Sequence, residues 1–128
     1  MENMAQTNNQ EELAIQEAIL AYYHAGHALY DPDLYRNILH QEWKFFLLEN
    51  GSLKIVGRDE FCDWYAPENL KPDLEWETEI YSIDVTGDLA SVKLRIENQK
   101  VMYIDYLNMM KIDGSWWIVH KISHDTLK

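Results

Sequence analysis

The sequence contains a single cysteine, Cys62, so one chain can form no internal disulfide and offers no Cys-x-x-Cys pair for structural zinc. Only 3 residues are proline, 5 are glycine, and no apolar run approaches the ~20 residues of a membrane-spanning helix. The first ten residues, MENMAQTNNQ, lack the basic and apolar pattern of a signal peptide. These absences lead us to expect a soluble, cytoplasmic domain that does not bind membranes.

Basic residues are scarce as well. The 11 lysines and arginines stand against 22 aspartates and glutamates, which gives a formal charge of −11 and a pI near 4.7. A chain this acidic repels phosphate backbones, which argues against nucleic acids and anionic membrane surfaces as partners. Of the 128 residues, 47% are hydrophobic and 12% aromatic, which suffices for one buried core. We predict a flexible polar tail over residues 1–10 and a single domain over residues 11–128.

Three helices are predicted in the first half of the chain. Apolar residues recur at steps of three and four over residues 11–30, which is typical of an amphipathic helix. Asp31 then reads as an N-cap, with Pro32 in the first helical position, so a short helix is expected over residues 32–39. A third short helix is predicted over residues 58–65.

The rest of the sequence alternates between strand patterns and tight turns. The turns are Asn50-Gly51, Thr86-Gly87-Asp88 and Asp113-Gly114. The strands are predicted over residues 42–49, 52–56, 74–85, 89–97, 101–112 and 115–123. Helices followed by a long antiparallel meander predict an α+β fold.

The last hairpin can be placed in register by counting from its turn. With Asp113-Gly114 in the turn, Leu107 is predicted opposite His120 and Asp105 opposite Ile122. Neither face of this hairpin is plainly polar. A sheet that is apolar on both faces needs cover on both, from helices on one and a second copy of the chain on the other. We therefore predict a homodimer through the outer face of the sheet.

Several short motifs occur in an order that resembles a known superfamily. They are Tyr30-Asp-Pro-Asp-Leu34, the Asn50-Gly51 turn, Arg58-Asp-Glu-Phe61, Val85-Thr-Gly-Asp-Leu-Ala90 and Lys111-Ile-Asp-Gly-Ser-Trp-Trp-Ile-Val-His-Lys121. From about residue 12 to the C-terminus, the chain resembles the nuclear-transport-factor-2-like (cystatin-like α+β) superfamily, more narrowly its bacterial branch described as "putative lumazine-binding". The resemblance implies a cone in which N-terminal helices pack on a curved antiparallel sheet and enclose a conical pocket. Members include ketosteroid isomerases, scytalone dehydratase, polyketide cyclases and non-enzymatic binding domains, so the fold locates a site without fixing its chemistry.

The resemblance also implies candidate site residues. Tyr23 resembles the first-helix tyrosine that serves ketosteroid isomerases as an oxyanion donor, and Asp105 falls at or within one residue of their protonated aspartate. A carboxyl group on an apolar sheet face is costly to ionise and could donate a hydrogen bond. The position of the isomerase general base falls on Leu47, which cannot accept a proton. This residue argues against isomerase chemistry.

His120 is predicted to lie diagonally across the last strand pair from Asp105, within reach of a long side chain. A His120–Asp105 pair could act as a general base with Tyr23 as hydrogen-bond donor, which makes these three residues the catalytic candidates. The same pair could instead be a structural hydrogen bond at the floor of the pocket. Both interpretations stay open at this point, and so does the question of whether the chain is an enzyme.

Two further groups of polar residues have structural interpretations. His24 and His27 have a spacing at which two histidines can share a metal, but no third ligand is evident, so no metal site and no cofactor are predicted. His27 is expected to point into the pocket, and His24 toward solvent. Three glutamates alternate at the start of the third strand: Glu75, Glu77 and Glu79. They are expected on the outer face, where Lys93 and Arg95 offer partners.

The chain carries more aromatic residues than a core of this size requires. Flat aromatic walls with a few polar groups suit a planar heterocycle or polycyclic molecule. The predicted ligand-binding residues are Tyr23, His27, Trp43, Trp64, Tyr103, Asp105, Trp116 and His120. Three hypotheses follow: a domain that binds a small apolar or aromatic molecule, for which the resemblance implies a pteridine-like ligand; a dehydratase, cyclase or isomerase; and a protein-interaction scaffold.

Overall fold

The first helical region of the chain is longer than the sequence pattern predicts. The structure, a computed structural model, describes residues 4–128, and this region comprises α1 (Met4–Ala18), a π-helical segment (Ile19–His24) and α2 (Ala25–Leu29). The expected flexible tail is thus helical from Met4, because no glycine or proline stops the helix there. Residues 1–3 of that tail lie outside the described residues. No helix in the described part of the chain is long and apolar enough to cross a membrane.

The connection after α2 forms as its residues predict. Tyr30 adopts a left-handed φ of 49°, and the Asp31 carboxylate accepts a backbone N–H two residues on at 3.1 Å, which caps α3 (Pro32–Tyr35). The connection folds Tyr35 back onto Gly26. A Cβ at Gly26 would lie 2.5 Å from Cε1 of the tyrosine ring, so glycine is required here by packing.

Six strands form one curved, open sheet. They are β1 (Leu39–Glu49), β2 (Ser52–Gly57), β3 (Glu77–Thr86), β4 (Leu89–Glu97), β5 (Val101–Ile112) and β6 (Ser115–Leu127), in the spatial order β2-β1-β6-β5-β4-β3. Neighbours are antiparallel except β1 and β6, which run parallel. Between β2 and β3 lie α4 (Arg58–Trp64) and a short 3₁₀ turn (Pro67–Asn69). The predicted α+β cone, with helices on one face of the sheet, is confirmed.

The ladder between β3 and β4 shifts register at Tyr81, the extra residue of a β-bulge. On the N-terminal side of this bulge, Glu77 and Glu79 lie on the outer face, where their carboxylates are 3.5 and 2.9 Å from the Arg95 guanidinium. The outward placement predicted for these two glutamates is confirmed. Glu75 precedes the strand and is exposed.

A second bulge shifts the ladder between β5 and β6 at Val119. Beyond it, Asp105 lies opposite Ser123 instead of Ile122, so the predicted register is wrong by one residue. The error arises because counting from a turn assumes a continuous ladder. The shift turns Lys121 toward the core and His120 toward the outer face, and it determines the composition of the candidate site.

The core lies between the helices and the inner face of the sheet. Its largest fully buried side chains are Trp43, Tyr23, Tyr35, Phe61, Ile15, Ile19, Ile38, Leu39, Leu94, Ile96, Leu107 and Met109. Glu11 ties α1 to the sheet, because its carboxylate accepts hydrogen bonds from Lys111 Nζ at 2.7 Å and Trp116 Nε1 at 2.6 Å. The lysine hydrogen bond lowers the Glu11 pKa. Trp116, predicted as a ligand-binding residue, thus holds the first helix in place.

Candidate functional site

A fully buried carboxylate, Asp105, holds a polar network beneath the π-helical segment. Tyr23, from that segment, donates its hydroxyl hydrogen to Oδ2 of Asp105 at 2.6 Å, and Ser123 Oγ donates to Oδ1 at 2.6 Å. Burial raises the Tyr23 pKa well above 10.0, and the neighbouring Asp105 charge adds to the effect, so this phenol stays protonated at neutral pH. The Tyr23–Asp105 proximity implied by the superfamily resemblance is present.

The third partner of Asp105 is a lysine that sequence reasoning missed. Lys121 Nζ lies 3.7 Å from Oδ2 of Asp105, with its side chain only 5% exposed. Its ammonium also lies 4.4 Å from the ring centroid of Phe45 and 4.8 Å from that of Phe61. Burial lowers the Lys121 pKa and outweighs the opposing attraction of Asp105. The only feature of the sequence that indicates this role is the position of Lys121 in an apolar stretch. The face of the sheet on which its side chain lies depends on the bulge at Val119.

His120 does not pair with Asp105, and this part of the predicted site is wrong. His120 lies opposite Asn108 instead of the predicted Leu107, and its ring packs 4.9 Å from Phe46 on the outer face. The bulge at Val119 is the physical cause, since it moves the alternation of β6 out of phase from that point on. The proposed Asp–His general base therefore has no structural basis.

His27 points inward, as predicted, but it lies among aromatic rings of the core and lines neither of the two clefts described below. It is 2% exposed, its Nδ1 donates to the backbone oxygen of Tyr23 at 2.9 Å, and its ring centroid is 4.8 Å from that of Tyr65. Burial holds the His27 pKa well below 6.5, and the Lys121 charge lowers it further. His24, expected in solvent, is half-buried and bonds Thr78 Oγ1 through Nδ1 at 2.7 Å. Within the described residues, no three His, Cys, Asp or Glu side chains could hold a metal together.

An open cleft lies beside this network, where β1 and β6 separate. Their ladder ends at the pair Phe46–Ile122, although both strands continue. The resulting space, the mouth cleft, is about 700 Å³, and its inner wall is formed by Phe45, Leu47, Trp64, Tyr103, Ser123 and Asp125. Because Ser123 both lines this cleft and bonds Asp105, it connects the cleft to the buried network.

A second cleft of about 340 Å³ adjoins the first and shares Trp64, Tyr103 and Asp125 with it. We call it the side cleft, and its other walls include Tyr30, Tyr65, Lys71, Trp76 and Lys100. Burial raises the Tyr103 pKa, with a further contribution from the Asp125 charge. Trp64, 40% exposed, forms part of the wall of both clefts.

The predicted ligand-binding residues thus fall into three groups. Trp64 and Tyr103 line the two clefts. Four others are buried in the core: Tyr23, His27, Trp43 and Asp105. Trp116 and His120 have other partners, as described above. Leu47, at the position of the isomerase general base, lines the mouth cleft and offers no proton acceptor there.

Comparisons with solved structures agree with this architecture. An NTF2-like protein of unknown function from Shewanella baltica is 25% identical, with 91% of this chain and 94% of that chain covered and a TM-score of 0.82. An NTF-2 like protein of unknown function from Silicibacter pomeroyi is 19% identical, with coverage of 94% and 98% and a TM-score of 0.81. A protein described as a putative scytalone dehydratase, from Novosphingobium aromaticivorans, is 18% identical, with coverage of 96% and 89% and a TM-score of 0.73.

A comparison with family models is consistent with these structural matches. No curated protein matches the chain. The model of one family, described as "Putative lumazine-binding", matches residues 10–124, which is nearly the whole chain. Together with the curved sheet and the order of the elements, this match confirms the superfamily that the sequence motifs resemble. The chain belongs to the family described as putative lumazine-binding, within the NTF2-like superfamily of α+β cones.

Proposed function

We propose that the chain binds a small planar apolar or aromatic molecule in the mouth cleft. The observation that carries this proposal is the pairing of a largely apolar inner wall, formed by Phe45, Leu47, Trp64 and Tyr103, with a few polar groups, among them the hydroxyl group of Ser123. Aromatic and aliphatic walls bury the faces of a flat ligand, and a small number of polar contacts fixes its orientation. The family description supports a pteridine-like ring as the ligand.

The proposal is one of binding, without a reaction. Leu47 occupies the position at which an isomerase would hold its base, and Asp105 is fully buried among its own partners. A group that removes a proton must reach the reacting atom within hydrogen-bond distance. Among the predicted catalytic residues, Tyr23 and Asp105 bond each other and His120 faces the opposite side of the sheet.

Titration with lumazine tests the proposal. We expect saturable binding by the wild-type chain, measured by calorimetry. The Trp64→Ala variant should bind about tenfold more weakly, because one aromatic face of the site is lost. Trp117→Ala is the matched control, since Trp117 packs against His40, away from the two clefts. If neither lumazine nor a panel of planar heterocycles binds, the proposal is wrong and the result favours the hypothesis of a protein-interaction scaffold.

We also propose that the outer face of the sheet joins two copies of the chain. The exposed large apolar side chains on that face include Leu48, Leu53, Ile55, Tyr106, Met110 and Ile122. Three of them, Leu48, Leu53 and Ile122, form the outer rim of the mouth cleft. An apolar surface of this extent is unusual on a monomer and is typical of an interface. Light scattering should give the mass of a dimer for the wild type and of a monomer for Ile122→Asp. A monomeric wild type at micromolar concentration would contradict this proposal.

A further inference from the structure

The distribution of positive charge distinguishes the side cleft from the rest of the surface. Seven of the 11 lysines and arginines form an ion pair with a carboxylate: Arg36, Lys54, Arg58, Arg95, Lys111, Lys121 and Lys128. In the described part of the chain, the four without such a pair are Lys44, Lys71, Lys93 and Lys100. Two of these four, Lys71 and Lys100, line the side cleft. In a chain with a net charge of −11, two lysines free to bind an anion therefore lie in one cleft.

The two lysines lie on separate loops that are tied together. The Gln99 side chain accepts a hydrogen bond from the backbone N–H of Glu75 at 2.8 Å and donates to the backbone oxygen of Asp73 at 3.0 Å. These bonds link the turn that carries Lys100 to the loop that begins at Lys71. The turn itself is fixed by Asn98 Oδ1, which accepts the backbone N–H groups of residues 100 and 101 at 2.8 and 3.1 Å. The lysine backbones are thus held in place before any ligand binds.

The walls of the side cleft suit an aromatic ring, and one wall carries an unused donor. Trp76 Nε1 is buried and has no hydrogen-bond acceptor among residues 4–128. An indole N–H can only donate, and leaving it buried without a partner is costly. Asp125 is the one carboxylate of the cleft, and it lies opposite Tyr103 in the ladder, on the side shared with the mouth cleft.

From these observations we infer that the side cleft is the subsite for a carboxylate carried on the aromatic ligand. The ring lies against Trp64 and Tyr103, the residues that the two clefts share, and the carboxylate lies between Lys71 and Lys100. The preferred ligand is therefore a planar aromatic acid rather than a neutral ring. This inference rests on the proposed binding function, because the ring is held by the walls common to both clefts.

A pair of probes that differ only in charge tests the subsite: 2-naphthoate and its uncharged amide, 2-naphthamide. Their dissociation constants are measured by calorimetry at low salt. We expect the wild type to bind 2-naphthoate at least about tenfold more tightly, since hydrogen bonds to charged groups are stronger than those to neutral ones. The preference should shrink as salt is added, because both lysines are exposed.

The double variant Lys71→Gln/Lys100→Gln should lose the preference for the acid and keep the affinity for the amide. The matched control, Lys44→Gln/Lys93→Gln, removes the other two unpaired lysines and should keep the preference. Equal affinities of the wild type for the two probes, or a preference that survives in the Lys71/Lys100 variant, would overturn the subsite alone. Failure of both probes to bind, with lumazine still bound, would also overturn the subsite alone. Failure of lumazine, the heterocycle panel and both probes would overturn the proposed function and the subsite with it. A thermal melt of each variant verifies that it is folded.

Discussion

Replacing Asp105 with alanine is expected to lower the free energy of unfolding by about 3–5 kcal/mol, because the substitution leaves a buried ammonium without its counter-charge. Lys121 is 5% exposed and has no other carboxylate within ion-pair distance among the described residues. The Tyr23 hydroxyl would also lose its acceptor in a site without exposure to solvent. Urea unfolding at neutral pH, followed by tryptophan fluorescence, measures the loss.

A double variant separates the contribution of the Asp105–Lys121 pair to the free energy of unfolding from the cost of removing only one of its charges. Asp105→Leu together with Lys121→Met removes both charges and keeps apolar volume in place. Buried ion pairs replaced in this way are often neutral or better for stability, so the double variant should be clearly more stable than Asp105→Ala. A loss below about 1 kcal/mol in Asp105→Ala would contradict a native Asp105–Lys121 ion pair.

Much of the fold could be predicted because short sequence motifs specify its turns. Asn50-Gly51 and Asp113-Gly114 both adopt the positive φ values that a two-residue hairpin needs, 53° and 81° in the first and 52° and 82° in the second. These turns set the pairings β1–β2 and β5–β6, and β4 and β5 have the predicted bounds. The bulge at Val119 carries no such motif. It depends on packing across three strands, which a pattern along one strand does not record.

The candidate site was less predictable for the same reason. The Tyr23–Asp105 contact is implied by the superfamily resemblance, and it forms. The third residue of the site depends on which side chains of β6 point toward the core. Because of the bulge, Lys121 takes the place that was predicted for His120. Exposure of the tryptophans could not be read from sequence either. Trp43 is fully buried and Trp64 is 40% exposed, although both were predicted as ligand-binding residues for the same reason, the richness of the chain in aromatic residues.

His27 should make the protein less stable as the pH falls below about 6.5. Because burial holds the pKa of native His27 well below 6.5, the unfolded chain takes up a proton there that the native chain does not. A surplus of one proton in the unfolded state costs about 1.4 kcal/mol per pH unit, so the loss of stability should grow as the pH falls below about 6.5, for as long as native His27 stays neutral. At higher pH the imidazole is neutral in both states, and this contribution is constant.

The comparison of His27→Leu with the wild type isolates this proton, because both chains share all other titrating groups. Urea unfolding over the same pH range should give a stability difference between them that narrows or reverses as the pH falls. His24→Gln is the control on the same helical region, where a half-buried imidazole with a lowered pKa should produce a smaller change. A stability difference independent of pH for His27→Leu would mean that native His27 gains its proton as readily as the unfolded chain does. The aromatic surroundings of its ring would then be more open to water than the geometry indicates.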